Sequence, residues 1–409
     1  MRSKLLASVA VASITMLAIH SSANAAATMK ISGSYESNMS WTQASKDESV
    51  VNTPSSGAFI GRFRLQLDPS FTADSLTIGA RLRTNAADGT FGYDRAYGYA
   101  TGNFGTVNFG YKGALGYAGT FGEVYGNDGQ GMVGPDQASV ALKAFKGKYD
   151  SRIDGAMGNY IDATGGITGN YVQYETPIIA GFGAGIGYAP QLGGNAKDWS
   201  NSRGAFNTPA EAGTPTSAPV DAEAGAYTNA VELALKYSLS LDGFDMNAAA
   251  GYITAKAPKG IGGLADTTTN LNLGPLVQNL RGYGASISFL VLEAAYFEVG
   301  YSNGGKTGNK TTVAEGLKPV NSQAMTVTAG YHVTKDIAVG GYYGQGYAAS
   351  ADLAASNHMR EYGIGGQYTV IPGLSVYLAG DHVDATMGSA TGSTTAKANV
   401  LSVGSTIVF

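Results

Sequence analysis

Cysteine is absent from the 409 residues, which excludes disulfide-stapled folds and thiolate metal sites alike. Charge is sparse as well: Asp, Glu, Lys and Arg make up 14% of the chain, with a formal net charge of -4. A nucleic-acid binder carries a basic surplus, so no nucleic-acid partner is expected. Histidine occurs four times and tryptophan twice, which leaves little material for a catalytic or metal-binding constellation. Beyond the first 25 residues no apolar run approaches the roughly 18 residues of a membrane-spanning helix. Disorder is excluded too, because 44% of the residues are hydrophobic. What the chain has in surplus is glycine, 59 residues, and tyrosine, 25 residues, with no Gly-X-Y period that would indicate collagen.

The N-terminus reads as an export signal. Arg2 and Lys4 precede an apolar run from Leu5 to Ile19, and Ala23-Asn24-Ala25 forms a small-x-small cleavage site. That run is about 15 residues, short of the ~20 needed to span a bilayer. The expected organisation is therefore a signal peptide over 1–25 and one domain over 26–409.

Within that domain the dominant period is two. Met29, Ile31, Tyr35, Met39 and Trp41 alternate with Lys30, Ser32, Ser34, Glu36, Asn38 and Ser40. Phe59, Phe63, Leu65 and Leu67 alternate with Arg62, Arg64, Gln66 and Asp68. Successive side chains of a strand point to opposite faces, so each such segment has one apolar and one polar side. About sixteen segments of this kind are predicted, near 29–41, 58–68, 74–85, 92–102, 104–112, 170–176, 182–189, 226–241, 244–256, 281–290, 292–302, 323–334, 337–347, 359–370, 374–384 and 397–409. Short turns, such as 102–103, 242–243 and 371–373, alternate with long polar stretches such as 191–225 and 257–279. Short turns gathered at one end and long loops at the other predict an all-β fold, a transmembrane antiparallel β-barrel. Lipid offers no partner to an open sheet edge, so such a sheet must close on itself, and an even strand number brings both termini to one side.

Strand parity then locates charge. Arg62 and Arg64 oppose Phe63 and Leu65; Arg81 and Arg83 oppose Ala80 and Leu82. An arginine facing lipid at mid-bilayer costs ~2–4 kcal/mol, so four of them require the lumen side. Arg95 shares parity with Tyr97 and Tyr99, which turns Ala96, Gly98 and Ala100 outward as a smooth face suited to a neighbouring subunit.

The chain resembles a Gram-negative general porin of the alphaproteobacterial type. The resemblance is carried by Asp94-Arg95-Ala96-Tyr97, by Phe104-Gly105-Thr106-Val107-Asn108-Phe109-Gly110 with its long following loop, by Asn170 to Pro177, by Phe182 to Pro190, and by the terminal Phe409. It implies a homotrimer in the outer membrane, surrounded by lipid, that passes small hydrophilic solutes and ions through a water-filled channel without a cofactor. It also implies a long third loop folded into the lumen, where carboxylates face a basic wall. Carried over, that wall is Arg62, Arg64, Arg81, Arg83 and Arg95, and the acidic side is Glu123, Asp128 and Asp136. Opposed charges at a narrowing orient water and polar solutes. The 58 residues between Tyr111 and Asn170 are long for this loop, with room for extra helix or strand.

Three other readings are weighed against this one. A barrel enzyme would need a placed nucleophile and base, yet His332, His358 and His382 accompany no nucleophile motif and read as polar lumen or loop residues. A substrate-specific (sugar or anion) outer-membrane channel is the alternative; a sugar-specific one is expected to show an aromatic track along the lumen, and with only two tryptophans, Trp41 and Trp199, the lumen-facing Tyr97 and Tyr99 leave some room for it. Loop carboxylates, Asp47-Glu48 or Asp221 and Glu223, offer oxygen ligands that could hold a structural Ca2+.

Overall fold

A computed structural model describes residues 26–44, 55–87, 90–115, 168–192, 227–256, 279–306, 321–349, 356–389 and 392–409. Sixteen strands account for nearly all of them. They are β1 (Ala26–Ala44), β2 (Ser55–Ala73), β3 (Leu76–Ala87), β4 (Thr90–Gly102), β5 (Gly105–Gly113), β6 (Thr168–Glu175), β7 (Phe182–Gln191) and β8 (Thr228–Leu241). The second half continues with β9 (Phe244–Lys256), β10 (Leu280–Val291), β11 (Ala295–Gly305), β12 (Ser322–His332), β13 (Ile337–Ala349), β14 (Ser356–Ile371), β15 (Leu374–Ser389) and β16 (Gly392–Val408). Each strand pairs antiparallel with its neighbours in sequence, and β1 pairs with β16 to close the barrel. Among the described residues there is no helix. The sixteen predicted segments correspond one to one with these strands.

The seam is secured by the last residue. The Gly33 N–H donates to Phe409 O at 2.8 Å and the Phe409 N–H donates to Gly33 O at 3.1 Å. The Phe409 ring stacks on Phe63 with centroids 6.4 Å apart, in the space that Gly33 leaves open. A Cβ on Gly33 would lie 2.7 Å from that ring, so this position requires glycine.

Turns at this end are tight, as the alternation of lengths requires. Pro372-Gly373 joins β14 to β15, with Gly373 at φ +88°, and Asp242-Gly243 joins β8 to β9, with Gly243 at φ +71°. The opposite end corrects one expectation. Most connections there are long, but Ala87 and Thr90 are separated by two residues, and so are Ser389 and Gly392. Residues 86–87, 90–92, 388–389 and 392–393 lie in strands although their composition is that of loops.

Apolar side chains point outward. In β8, Val231, Leu233 and Leu235 are exposed while Ala230, Glu232 and Ala234 between them are buried. In β1, Met29, Ile31 and Met39 are exposed whereas Ser40 and Thr42 are buried. This inverts a soluble protein, in which the large apolar groups would be the buried set. Lipid contact is what makes such a surface stable, and tyrosines ring its margins at Tyr188, Tyr252, Tyr283, Tyr331 and Tyr368.

One apolar cluster breaks the pattern and lies on the inner face near the long-loop end. Tyr171, Ala189, Ala230, Ile253 and Leu280 come from five successive strands, β6 to β10, and they pack with Ala114, Leu192 and Tyr227.

Candidate functional site

The inner wall of β2 to β5 carries the charge that strand parity predicts. Arg62 lies directly across from Glu36 of β1, and Nε donates to Glu36 Oε2 at 3.0 Å. Arg81 grips Asp68 with two donors, Nε to Oδ1 at 2.7 Å and Nη2 to Oδ2 at 3.4 Å, while Gln66 Nε2 donates to Asp68 Oδ2 at 2.8 Å. A two-pronged guanidinium–carboxylate contact fixes both partners more rigidly than a single contact. Arg64 is opposite Ser34 on one side and Asn85 on the other. Arg83 is paired with Gln66 and with Arg95. A bulge follows that last pair, because Thr84 is opposite Tyr93 and Asp94 is the extra residue. Arg95 is buried, and all five predicted arginines share the inner face of three adjacent strands, β2, β3 and β4.

Strand β5 adds a sixth cation, Lys112, which the sequence reading did not single out. Its ammonium lies 5.1 Å from the centroid of Tyr97, and the Arg81 guanidinium lies 5.9 Å from the same centroid. Both positions are within reach of a cation–π attraction. Lys112 also faces Glu175 of β6 at 3.5 Å, and Asn108 Nδ2 donates to the same carboxylate oxygen at 2.7 Å. The signal was available: Lys112, Asn108 and Thr106 alternate with Phe109 and Val107, as the arginines alternate with Phe63 and Leu65.

The wall also contains its own carboxylates. Glu36, Asp68 and Glu175 are all on strands, each bound to a cation or an amide of this patch. In this patch Arg62, Arg64, Arg81, Arg83, Arg95 and Lys112 outnumber Glu36, Asp68 and Glu175 two to one. Glu123, Asp128 and Asp136, the acidic residues expected from the third loop, lie outside the described residues, as do Asp47, Glu48, Asp221 and Glu223.

The chain leaving β5 is drawn toward the interior. Ala114 and Leu115 are fully buried, and the Leu115 N–H donates to Glu232 Oε2 on β8 at 2.8 Å. Strands β6 and β7 intervene between β5 and β8, so this contact spans the concave side of the wall. Farther round, the single hydroxyl proton of Tyr342 on β13 is shared between Glu361 of β14 and Asp381 of β15, the latter at 3.1 Å. Gly363 sits between Tyr342 and Asp381 in register, and the missing side chain lets the hydroxyl reach across. Glu298, Glu361 and Asp381 therefore put buried carboxylates on the inner face of β11 to β15, away from the arginines.

The histidines correct another expectation. His358 and His382 are on the outer face, not in the lumen: His358 stacks on Tyr347 at 4.5 Å, and His382 stacks on the exposed Tyr362 at 5.0 Å. They continue the aromatic margin of the apolar band near the long-loop end. His332 is at the turn end of β12. Among the described residues no cluster of three metal-ligating side chains is found.

A closed sixteen-strand barrel with an apolar exterior, a polar interior and a cationic inner wall is a membrane-spanning, water-filled channel. The chain belongs to the Gram-negative porin family, whose model matches residues 7–388. Solved structures of similar fold include a trimer form of OmpT, an outer-membrane protein of Vibrio cholerae, at 15% identity and a TM-score of 0.54 over 94% of this chain and 100% of that one. An anion-selective porin from Comamonas acidovorans aligns at 13% identity and 0.54 over 94% and 100% of the two chains. The outer-membrane channel DcaP of Acinetobacter baumannii aligns at 12% and 0.55 over 94% and 97%. No curated protein matches the chain by sequence. The protein is thus an outer-membrane β-barrel that serves as a passive diffusion channel, and its fold and family are those of a channel rather than an enzyme.

Proposed function

We propose that solutes are sorted at a narrowing between the cationic wall of β2 to β5 and the β5–β6 connection, with Glu123, Asp128 and Asp136 supplying carboxylates on the loop side. The observation that carries this reading is the concentration of six cations on one stretch of inner wall. Support for the loop side comes from Ala114 and Leu115, which turn inward at the root of the connection. The field between unlike charges aligns water, so solutes with strong dipoles or charge enter at less cost than apolar ones of equal size. Because the wall is net positive, anions are favoured over cations by a modest factor.

The same reading includes a homotrimer. Ala80, Ala96 and Gly98 floor a shallow apolar depression on the outer face, rimmed by Met29, Leu67 and Phe109. Gly98 is filled by the neighbouring Phe109 ring, which a Cβ would meet at 2.5 Å. A concave, side-chain-poor wall lets another barrel approach closely, as small residues do between membrane helices.

Swelling of liposomes that contain the purified protein tests the narrowing. Entry rates for uncharged sugars of rising size should fall steeply and without saturation. Rates independent of solute size would overturn it.

A further inference from the structure

The contacts around Glu232 assign this residue a role beyond that of a wall carboxylate. We infer that Glu232 is a positioning residue, a clamp that fixes where the β5–β6 connection enters the channel and thereby sets the width of the narrowing. This rests on the reading that the connection forms one side of that narrowing.

Glu232 projects from β8 toward the interior and is 1% exposed. Its two oxygens are used by two different elements. Oε2 accepts the Leu115 N–H at 2.8 Å, and Oε1 accepts Gln173 Nε2 of β6 at 2.6 Å. Gln173 Nε2 also donates to Gly113 O at 3.1 Å, so one amide group ties the end of β5 to the same carboxylate. A buried backbone N–H without a partner is costly, and hydrogen bonds to a carboxylate are stronger than neutral ones. The clamp therefore holds the backbone at residues 113–115 rather than any exchangeable side chain.

The wall is shaped to admit it. Between β6 and β8, strand β7 presents only Gly183, Gly185, Gly187 and Ala189 to the interior. A Cβ on Gly187 would lie 2.1 Å from Glu232 Oε1 and 2.7 Å from its Cγ. The carboxylate thus passes over β7 through a slot that only glycine leaves open. The inner apolar cluster, with Tyr171, Ala189, Ala230 and Ile253, receives Ala114 beside it. The polar clamp on Gly113 and Leu115 flanks the apolar seat of Ala114.

The absence of native cysteine provides a clean test. In full-length protein carrying Leu115→Cys, folded and inserted in membranes, the rate at which a small charged methanethiosulfonate modifies the thiol reports how firmly the root is held. Four backgrounds are compared: unchanged, Glu232→Ala, Glu232→Gln and Gly187→Ala. Each is first checked for the compact, heat-sensitive migration of a folded barrel. Modification should be slow in the unchanged background and at least about tenfold faster in Glu232→Ala, the consequence of losing charge-assisted hydrogen bonds. Glu232→Gln keeps one acceptor oxygen and should fall between. Gly187→Ala retains the negative charge but blocks the slot, so it should match Glu232→Ala; a purely electrostatic role for Glu232 would leave it like the parent. Equal rates in all four folded proteins would overturn the clamp. Single-channel conductance of the same proteins separates the two readings. Rates that depend on Glu232 with unchanged conductance would retain the clamp and refute the narrowing; altered conductance with equal rates would do the reverse.

Discussion

Replacing Arg64 and Arg83 together by Gln isolates the effect of wall charge on selectivity. Arg62 and Arg81 are left in place, so that their ion pairs with Glu36 and Asp68 are preserved. An ion passing about 7 Å from a guanidinium in water interacts with it by ~0.6 kcal/mol, which screening at 0.1 M salt reduces to about 0.3 kcal/mol. Two charges give ~0.6 kcal/mol, attractive for the anion and repulsive for the cation, so the anion-to-cation ratio should fall by about sevenfold. Low-dielectric walls focus the field and make this a lower bound. The assay is the reversal potential across a planar bilayer separating unequal KCl solutions. It should move toward the cation side in the double variant at about 0.1 M. At 1 M, where the Debye length is ~3 Å, the difference should shrink below about twofold. A reversal potential unchanged at low salt would refute the placement of these arginines beside the ion path.

Strand parity gives a second prediction. Leu235→Arg, on the outer face near the middle of β8, should destabilise the folded barrel by ~2–4 kcal/mol in a urea titration monitored by tryptophan fluorescence or gel shift. The inward Ser286→Arg should cost far less, and equal losses would contradict the assignment of faces. Deleting Phe409 removes two backbone hydrogen bonds and a ring contact at the seam, so stability should fall by about 1–3 kcal/mol and the folded yield should drop. Ala80→Trp, at an exposed position in the outer depression, should shift the assembly from trimer to monomer, as measured by light scattering in detergent, while each barrel stays folded; an unchanged mass would exclude that face from the contact.

Much of this architecture was legible in the sequence because membrane barrels write their two faces in alternate residues. Met29 to Trp41 and Phe59 to Asp68 sort without ambiguity, since a large apolar residue and a charged one cannot share a face in lipid. The turns were readable where glycine or proline forces them, as at Pro372-Gly373. The closing strand was readable from parity too, with Leu401, Val403 and Ile407 outward and Val400 and Ser402 inward. Connections were harder, because the residues flanking Ala87–Thr90 and Ser389–Gly392 have loop-like composition yet extend strands.

The site was legible only in part. The arginines stood out because they are expensive on the wrong face. Lys112, Glu175 and Glu232 carry the same logic but sit among glycine, alanine and tyrosine, residues that tolerate either environment and so give weak parity. Nor does local spacing show that Leu115 meets Glu232 or that Tyr342 meets Asp381. Those contacts depend on the closed curvature, which brings side chains two and three strands apart together on the concave side and nowhere else. Glycine at positions 187 and 363 is the sequence trace of that proximity, but 59 glycines make any one of them hard to pick out.

Single-channel recording of the purified, folded protein in a planar bilayer distinguishes an open water-filled pore from a sealed or solute-saturable barrel. Discrete conductance steps that scale with bulk salt conductivity and do not saturate with added solute are the predicted result. A folded barrel that inserts but conducts nothing, or a current blocked at saturation by one small solute, would contradict the open pore.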